Sequence, residues 1–153
     1  GEGAQHMIMN GMDVTADIRT PEISQKASLI AAQPVVREAL LDMQREAARQ
    51  YDVVMDGRDI GSVVLPKATV KIFLTASAEV RAHRRCKELQ ERGQKVDYDQ
   101  ILKDIRQRDY QDTHRDIAPL KMTRDSVKLD TSDMTIDQVI AAMKKIIGEK
   151  VGL

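Results

Sequence analysis

Three groups of charged residues in this 153-residue chain have types and spacings that could do chemistry. The first lies in Val53-Val54-Met55-Asp56-Gly57-Arg58-Asp59-Ile60-Gly61, where an apolar run enters a turn dense in charge. Open parallel α/β sheets bind ligands at the carboxyl ends of their strands, so such a turn is a place for chemistry. Arg58 could grip a phosphate with its planar fork and Asp59 could accept hydrogen bonds from an amino group, while Gly57 and Gly61 permit close backbone approach. A structural ion pair in a surface turn is an equal explanation. The second group, Arg108, Asp112 and Arg115, falls at i, i+4 and i+7, so one helix face presents two guanidiniums around a carboxylate. It suits an anionic substrate or is simply a solvated stripe. The third is Arg81, Arg84, Arg85 and Lys87, followed by Glu91-Arg92-Gly93-Gln94-Lys95. A mobile basic flap ending in Gly could close over polyphosphate, and the same charges would also keep a helix soluble.

The elements that must position these groups are legible in the pattern. His6-Met7-Ile8-Met9 and Met12-Asp13-Val14 flank Asn10-Gly11, the dipeptide suited to a tight hairpin turn. Thr20, Pro21 and Glu22 start a helix in which Ile23, Ala27 and Ile30 form a buried stripe. Pro34 ends or restarts it, and a second amphipathic helix runs from Val35 to about Arg49 with Val36, Ala39, Leu40 and Met43 on its apolar face. Strands follow at Tyr51–Met55 and Val70–Leu74. Ser77 and Glu79 open a helix that runs to about Arg92, with Gly93 at its C′ position. Asp97 and Gln100 form a capping box for a helix over about Tyr98 to Asp112. A strand at Ser126–Asp130 leads to a last helix, opened by Thr135 and Gln138, whose face carries Ile136, Val139, Ile140, Met143 and Ile147. Alternating strands and helices make this a layered α/β domain with a parallel sheet.

Composition excludes several function classes. Twenty-four basic residues balance twenty-four acidic ones, so the whole-chain field attracts no polyanion, and any anion site must be local. With three Tyr, one Phe and no Trp there is no stacking platform for single-stranded nucleic acid. No apolar run nears the ~20 residues a membrane span needs. Cys86 is alone, without ligand-spaced neighbours, which fits a buried or idle thiol in a reducing cytoplasm. His6, His83 and His114 are scattered, so metal hydrolysis and triad chemistry have no support and no metal ligands are expected.

Thr20-Pro21-Glu22 through Ser28, Pro34 and Val36-Arg37-Glu38-Ala39-Leu40 carry a resemblance when taken with Asp56-Gly57-Arg58-Asp59-Ile60-Gly61 and Val70-Lys71-Ile72-Phe73-Leu74. Arg81-Ala82-His83-Arg84-Arg85 and the stretch from Arg106 to Pro119 extend it over nearly the whole chain. Together these motifs resemble the bacterial cytidylate kinases, in the family's order and approximate spacing. The resemblance implies a nucleoside monophosphate kinase (P-loop kinase) fold, a three-layer parallel sheet with a nucleotide-binding insertion and a helical lid. It implies transfer of the γ-phosphoryl group of ATP, with Mg2+, to CMP or dCMP. Residues 1–50 would belong to the monophosphate-binding region, 51–80 and 99–153 to the α/β core, and 81–98 to the lid. By resemblance Ser28, Arg37 and Asp59 read the cytosine, Arg58, Arg108 and Arg115 hold its 5′-phosphate, and Asp112 holds the sugar. Arg81, Arg84 and Arg85 belong to the lid over ATP. Cytosine offers an amino donor beside ring acceptors, whereas uracil would set an acceptor against Asp59 and leave it unpaired.

One family feature does not occur in these 153 residues: no GxxxxGK[ST] loop is found. A fragment or truncated chain, starting after the family's first strand and phosphate loop, is therefore expected. Its sheet would have a gap between the strands at Val53–Met55 and Val70–Leu74, it would be inactive alone, and its open edges would favour self-association. A non-catalytic nucleotide- or protein-binding module, or a kinase for another monophosphate, remains open.

Overall fold

The computed structural model describes residues 6–31 and 33–152, and the side chains of residues 21, 24, 25 and 28 lie outside the described part. The chain divides into two compact units, Gly1–Val53 and Val54–Leu153.

In the first unit, β1 (Ile8–Met9) and β2 (Met12–Asp13) form the expected antiparallel hairpin. Its turn needs positive φ at two residues, and Asn10 (φ 51°) and Gly11 (φ 82°) supply it. A single 3₁₀ turn at Asp17–Arg19 leads to α1 (Pro21–Ala31), where Thr20 Oγ1 accepts from the Ile23 amide at 3.2 Å. Helix α2 spans Pro34–Gln50, with Pro at its first position. The expected burial of the apolar stripes does not occur. Ile23, Ile30 and Met43 are 39, 57 and 66% exposed, and Leu40 and Ala39 are also exposed, whereas Val36 is half-buried. A hairpin and two helices offer too little surface to cover both stripes, so amphipathicity alone does not produce a core here.

The second unit is built on two parallel strands, β3 (Ile72–Thr75) and β4 (Val127–Asp130), in register from Ile72 opposite Val127 to Thr75 opposite Asp130. Parallel strands need a long crossover, and here it contains α3 (Ala78–Glu91) and α4 (Tyr98–His114). Helix α5 (Ile136–Val151) closes the chain and carries the complete Thr135–Gln138 capping box. At α4 only half of the expected box forms: Asp97 accepts from the Gln100 amide, but the Gln100 side chain turns forward to Asp104 at 2.7 Å. On α5 the face that turns inward is Val139, Ala142, Met143 and Ile146. Ile136, Ile140 and Ile147 of the expected stripe are exposed, and no residue of α5 is fully buried. Among the described residues the core is small: Val64, Ala76, Ala82, Cys86 and Leu129 are buried, as are Lys71 and Thr131.

Two features depart from the pattern reading. Tyr51–Met55 forms no strand, and Val54 is 97% exposed. Among the described residues no segment pairs with it, and an apolar run becomes a strand only when a neighbouring ladder takes up its amides and carbonyls. The DGRD turn is followed by a π-helical turn at Ile60–Val64, closed by Val64 N to Asp59 O (3.2 Å) and Leu65 N to Ile60 O (2.7 Å).

Candidate functional site

The DGRD turn ends where the π-helical turn begins. At Gly57 contact matters rather than φ: a Cβ there would meet Ile60 Cγ1 at 2.9 Å and force that side chain to shift. The widened turn is rare in proteins and recurs at functional sites. It leaves Asp59 at its N-terminal end, where the Asp59 carbonyl accepts from Val63 N at 2.8 Å and Ser62 Oγ at 3.4 Å.

Two of the three charged groups meet. Arg58 Nε donates to Asp112 Oδ2 at 2.8 Å across 54 residues of sequence, and Arg108 Nε lies 4.0 Å from the same oxygen. The Asp112 side chain is only 15% exposed, while those of Arg58 and Arg108 are 44% and 60% exposed. A sheltered carboxylate therefore orients two guanidiniums whose outer faces meet water. The Arg58 contact is made through Nε, which leaves its two terminal nitrogens outside that bond. One turn further along, Arg115 follows α4 as its cap residue. Its Nε donates to the Ala118 carbonyl at 2.7 Å, and its Nη2 is buried without a hydrogen-bond partner. Ala118 sits at φ 50°, a left-handed conformation that non-glycine residues seldom adopt, and Leu120 N returns to the Asp112 carbonyl at 2.7 Å. This loop folds back on the helix end and fixes Arg115.

The third group is held by other partners. Arg81 makes a two-pronged pair with Asp109 of α4, at 2.8 and 2.6 Å, and donates to Ala76 O. Hydrogen bonds donated to Asp109, more than charge, push the Arg81 guanidinium above its ordinary value. Arg106 of α4 answers with Glu79 of α3 at 2.6 Å. The Glu79 carboxyl is held below its ordinary range first by a backbone amide at the helix start and then by Arg106. Arg84 donates to Thr131 Oγ1, Thr131 O and Met134 O, so it ties α3 to the chain leaving β4. Arg85 pairs with Glu88 one turn along, and that hydrogen bond is the main cause of the lowered Glu88 carboxyl.

The remaining candidates belong to the first unit: Ser28 lies in α1 with its side chain outside the described residues, and Arg37 is half-buried in α2. Among the described residues no three His, Cys, Asp or Glu side chains gather to hold a metal, and no helix is long and apolar enough to cross a membrane.

The roles of Asp109 and Lys71 were not foreseen from sequence. Asp109 hid among the charges of α4, although its place three residues after Arg106 set both toward α3. Lys71 is 8% exposed and sits inside an apolar, β-rich run, and a cation in such a run was the available signal.

The model of the family described as cytidylate kinase matches residues 2–149. A protein of Lactobacillus johnsonii named cytidylate kinase is 50% identical over 149 residues, covering 97% of this chain and 65% of the relative. The cytidylate kinase of Desulforamulus reducens is 52% identical over 136 residues, 89% of this chain and 61% of the relative. That of Clostridium botulinum strain Langeland is 49% identical over 142 residues, 93% and 65%. The chain thus spans under two thirds of the length of the curated relatives it matches.

Proposed function

The chain belongs to the cytidylate kinase family, and from that premise we propose that it carries the acceptor side of phosphoryl transfer from ATP to CMP or dCMP. The observation that carries the reading is the Arg58–Asp112 pair, which joins a turn and a helix 54 residues apart into one arginine-rich cluster. Phosphoryl transfer asks a protein mainly to place the acceptor and to neutralise charge as it spreads over the moving group. Arg58 and Arg108, oriented by Asp112 and open to water, suit the 5′-phosphate of the acceptor. Arg115, at the end of the same helix, adds a buried, unmatched donor, and an arginine fork matches phosphate geometry better than a lysine does. Asp112 serves the sugar once a phosphate draws on its arginines.

Base selection falls to Asp59, Ser28 and Arg37. A carboxylate and a guanidinium suit the cytosine amino group and ring acceptors, and uracil leaves the carboxylate facing another acceptor. Arg81, Arg84 and Arg85 serve the ATP side as lid residues, each exchanging a present partner for phosphate. ATP is the donor substrate. The described carboxylates do not gather as a metal site, so Mg2+ is expected to arrive with the ATP phosphates, and no step is routed through it.

A polypeptide of these 153 residues has no GxxxxGK[ST] loop to hold the donor phosphates, so it should bind CMP without turning it over. Titration calorimetry with CMP, UMP and AMP, beside an assay for ATP-dependent CDP formation, tests this. CMP should bind at least about tenfold tighter than UMP, and no CDP should form. Equal affinities would overturn the base assignment, and robust CDP formation would overturn the inactivity. Failure of every nucleotide to bind would favour a protein-binding module.

A further inference from the structure

A buried lysine outside the arginine cluster touches the π-helical turn that directly follows Arg58 and Asp59. Lys71 immediately precedes β3, and its side chain is 6% exposed. Its Nζ donates to Pro66 O at 2.6 Å and to Asp125 Oδ2 at 2.6 Å. Its stem lies along Gly61, where an added Cβ would stand 3.4 Å from Lys71 Cδ and 3.6 Å from Cγ. The side chain therefore spans the π-helical turn, with its methylenes against the second residue of the turn and its ammonium on the carbonyl just past the end. Asp125, the second acceptor, is itself fixed by Thr123 Oγ1 at 2.7 Å, and Thr123 contacts Ser126 at 2.6 Å. The Lys71 carbonyl accepts from Val127 N at 2.9 Å, so the same residue starts the parallel ladder.

We propose that Lys71 is a positioning residue, which clamps the turn at 60–66 to the start of the sheet and thereby sets where Arg58 and Asp59 stand. A buried ammonium costs free energy unless its hydrogen bonds are made, and both acceptors named here serve to hold a loop. A π-helical turn is intrinsically less favourable than an α-turn, so it needs an external hold. The stem contact at Gly61 is two residues from Asp59. A Cβ at 61 would stand in ordinary van der Waals contact with the stem, so the second Gly of the DGRD-I-G run lies directly against Lys71. The consequence for ligand binding rests on the reading of Arg58 and Asp59 as CMP contacts, whereas the clamp itself does not.

Two readouts on the full chain separate these. Amide hydrogen exchange is followed at Val64 and Leu65, whose amides close the turn, with α3 amides as internal reference, and CMP affinity is measured alongside. Lys71→Met should speed exchange at Val64 and Leu65 about tenfold or more relative to α3 and weaken CMP about tenfold, and Lys71→Arg should restore most of both. Unchanged turn exchange in a folded Lys71→Met protein overturns the clamp. If the unsubstituted chain binds no CMP, the functional reading fails and the exchange arm still judges the clamp. Should Lys71→Met not fold, Asp125→Asn loosens the ammonium while keeping the stem. It should speed exchange at the same two amides severalfold, and no change there overturns the proposal.

Discussion

The two units of this chain use similar residues in opposite ways. In Gly1–Val53 no described residue is buried, and Ile8, Met9, Met12, Leu29, Ile30, Val35 and Met43 are more than half exposed. Of its ion pairs, Lys26 with Glu22 and Arg49 with Glu46 lie within single helices, and His6 with Asp13 spans only its own hairpin. In Val54–Leu153 the charged residues reach between elements: Arg58 to Asp112, Arg81 to Asp109, Arg106 to Glu79 and Lys71 to Asp125. Pairs within one helix add only about 0.3–0.5 kcal/mol to that helix, and they place nothing relative to anything else. Pairs between elements fix geometry even where their net energy is small. The second unit can therefore hold a site in place by itself, while the first offers residues on helices whose apolar faces are unmet.

The sharpest way to break this contrast is native-state amide exchange. Interior amides of α2 should exchange at least about a hundredfold faster than those of α3, because opening α2 exposes little that was not already exposed. Equal protection in the two helices would show that the first unit is stabilised by something other than its own packing.

A substitution in each unit sharpens the division of labour. Arg58→Met removes a charge-assisted phosphate contact and leaves Asp112 short of a partner. It should weaken CMP, UMP and AMP alike, by about thirty- to a hundredfold, corresponding to about 2–3 kcal/mol. Arg37→Met should act on the base, costing about tenfold for CMP and narrowing the CMP-to-UMP ratio. Calorimetry with all three nucleotides reads both. A uniform loss from Arg37→Met would move Arg37 from base to phosphate.

What the sequence displayed and what it hid follow the same line. Punctuation was readable: Asn10-Gly11, Thr20-Pro21, Ser77, Asp97, Thr135 and Gly93 each mark a turn or helix end that the structure contains, because their effect is local. The i, i+4 spacing brought Arg108 and Asp112 onto one face, again locally. Burial was not readable, since whether Ile30 or Ile140 is covered depends on a surface elsewhere. The meeting of Arg58 with Asp112 was reachable only through family resemblance. The π-helical turn was invisible because it is held by Pro66 O and Lys71, a contact that no local pattern encodes.

Acid titration probes a pair that joins distant parts of the second unit, Lys71 and Asp125. The hydrogen bond from Lys71, then that from Thr123, holds the Asp125 carboxyl at about 2, below its ordinary value of 3.8. A depressed carboxyl stabilises the fold fully above its unfolded value and stops doing so as pH falls through its folded one. The Lys71–Asp125 contribution should therefore be complete above about pH 4 and vanish by about pH 2. Asp125→Asn should lower stability at neutral pH and converge with the unsubstituted chain near pH 2, as read by urea melts across that range. Parallel profiles would mean that the pair is not made in solution.

The smallest effect is also the most discriminating, because a threonine cap of the same kind starts a helix in each unit. Thr20 Oγ1 accepts from Ile23 N at 3.2 Å to start α1, and Thr135 Oγ1 accepts from Gln138 N at 3.3 Å to start α5. Removing such a cap costs about 1 kcal/mol of helix stability. In a cooperative unit that cost is shared by everything that unfolds together, so Thr135→Ala should lower the main thermal transition by several degrees, about 2–8 °C for domains of this size range. Thr20→Ala breaks an equivalent bond in a helix that shields no core, and its cost should be met by local fraying. The main transition should then stay within about a degree of the original while helical circular dichroism at low temperature falls slightly. If Thr20→Ala shifts the main transition as far as Thr135→Ala does, the first unit unfolds with the second. Its exposed stripes would then contribute to one cooperative structure rather than wait on a separate equilibrium.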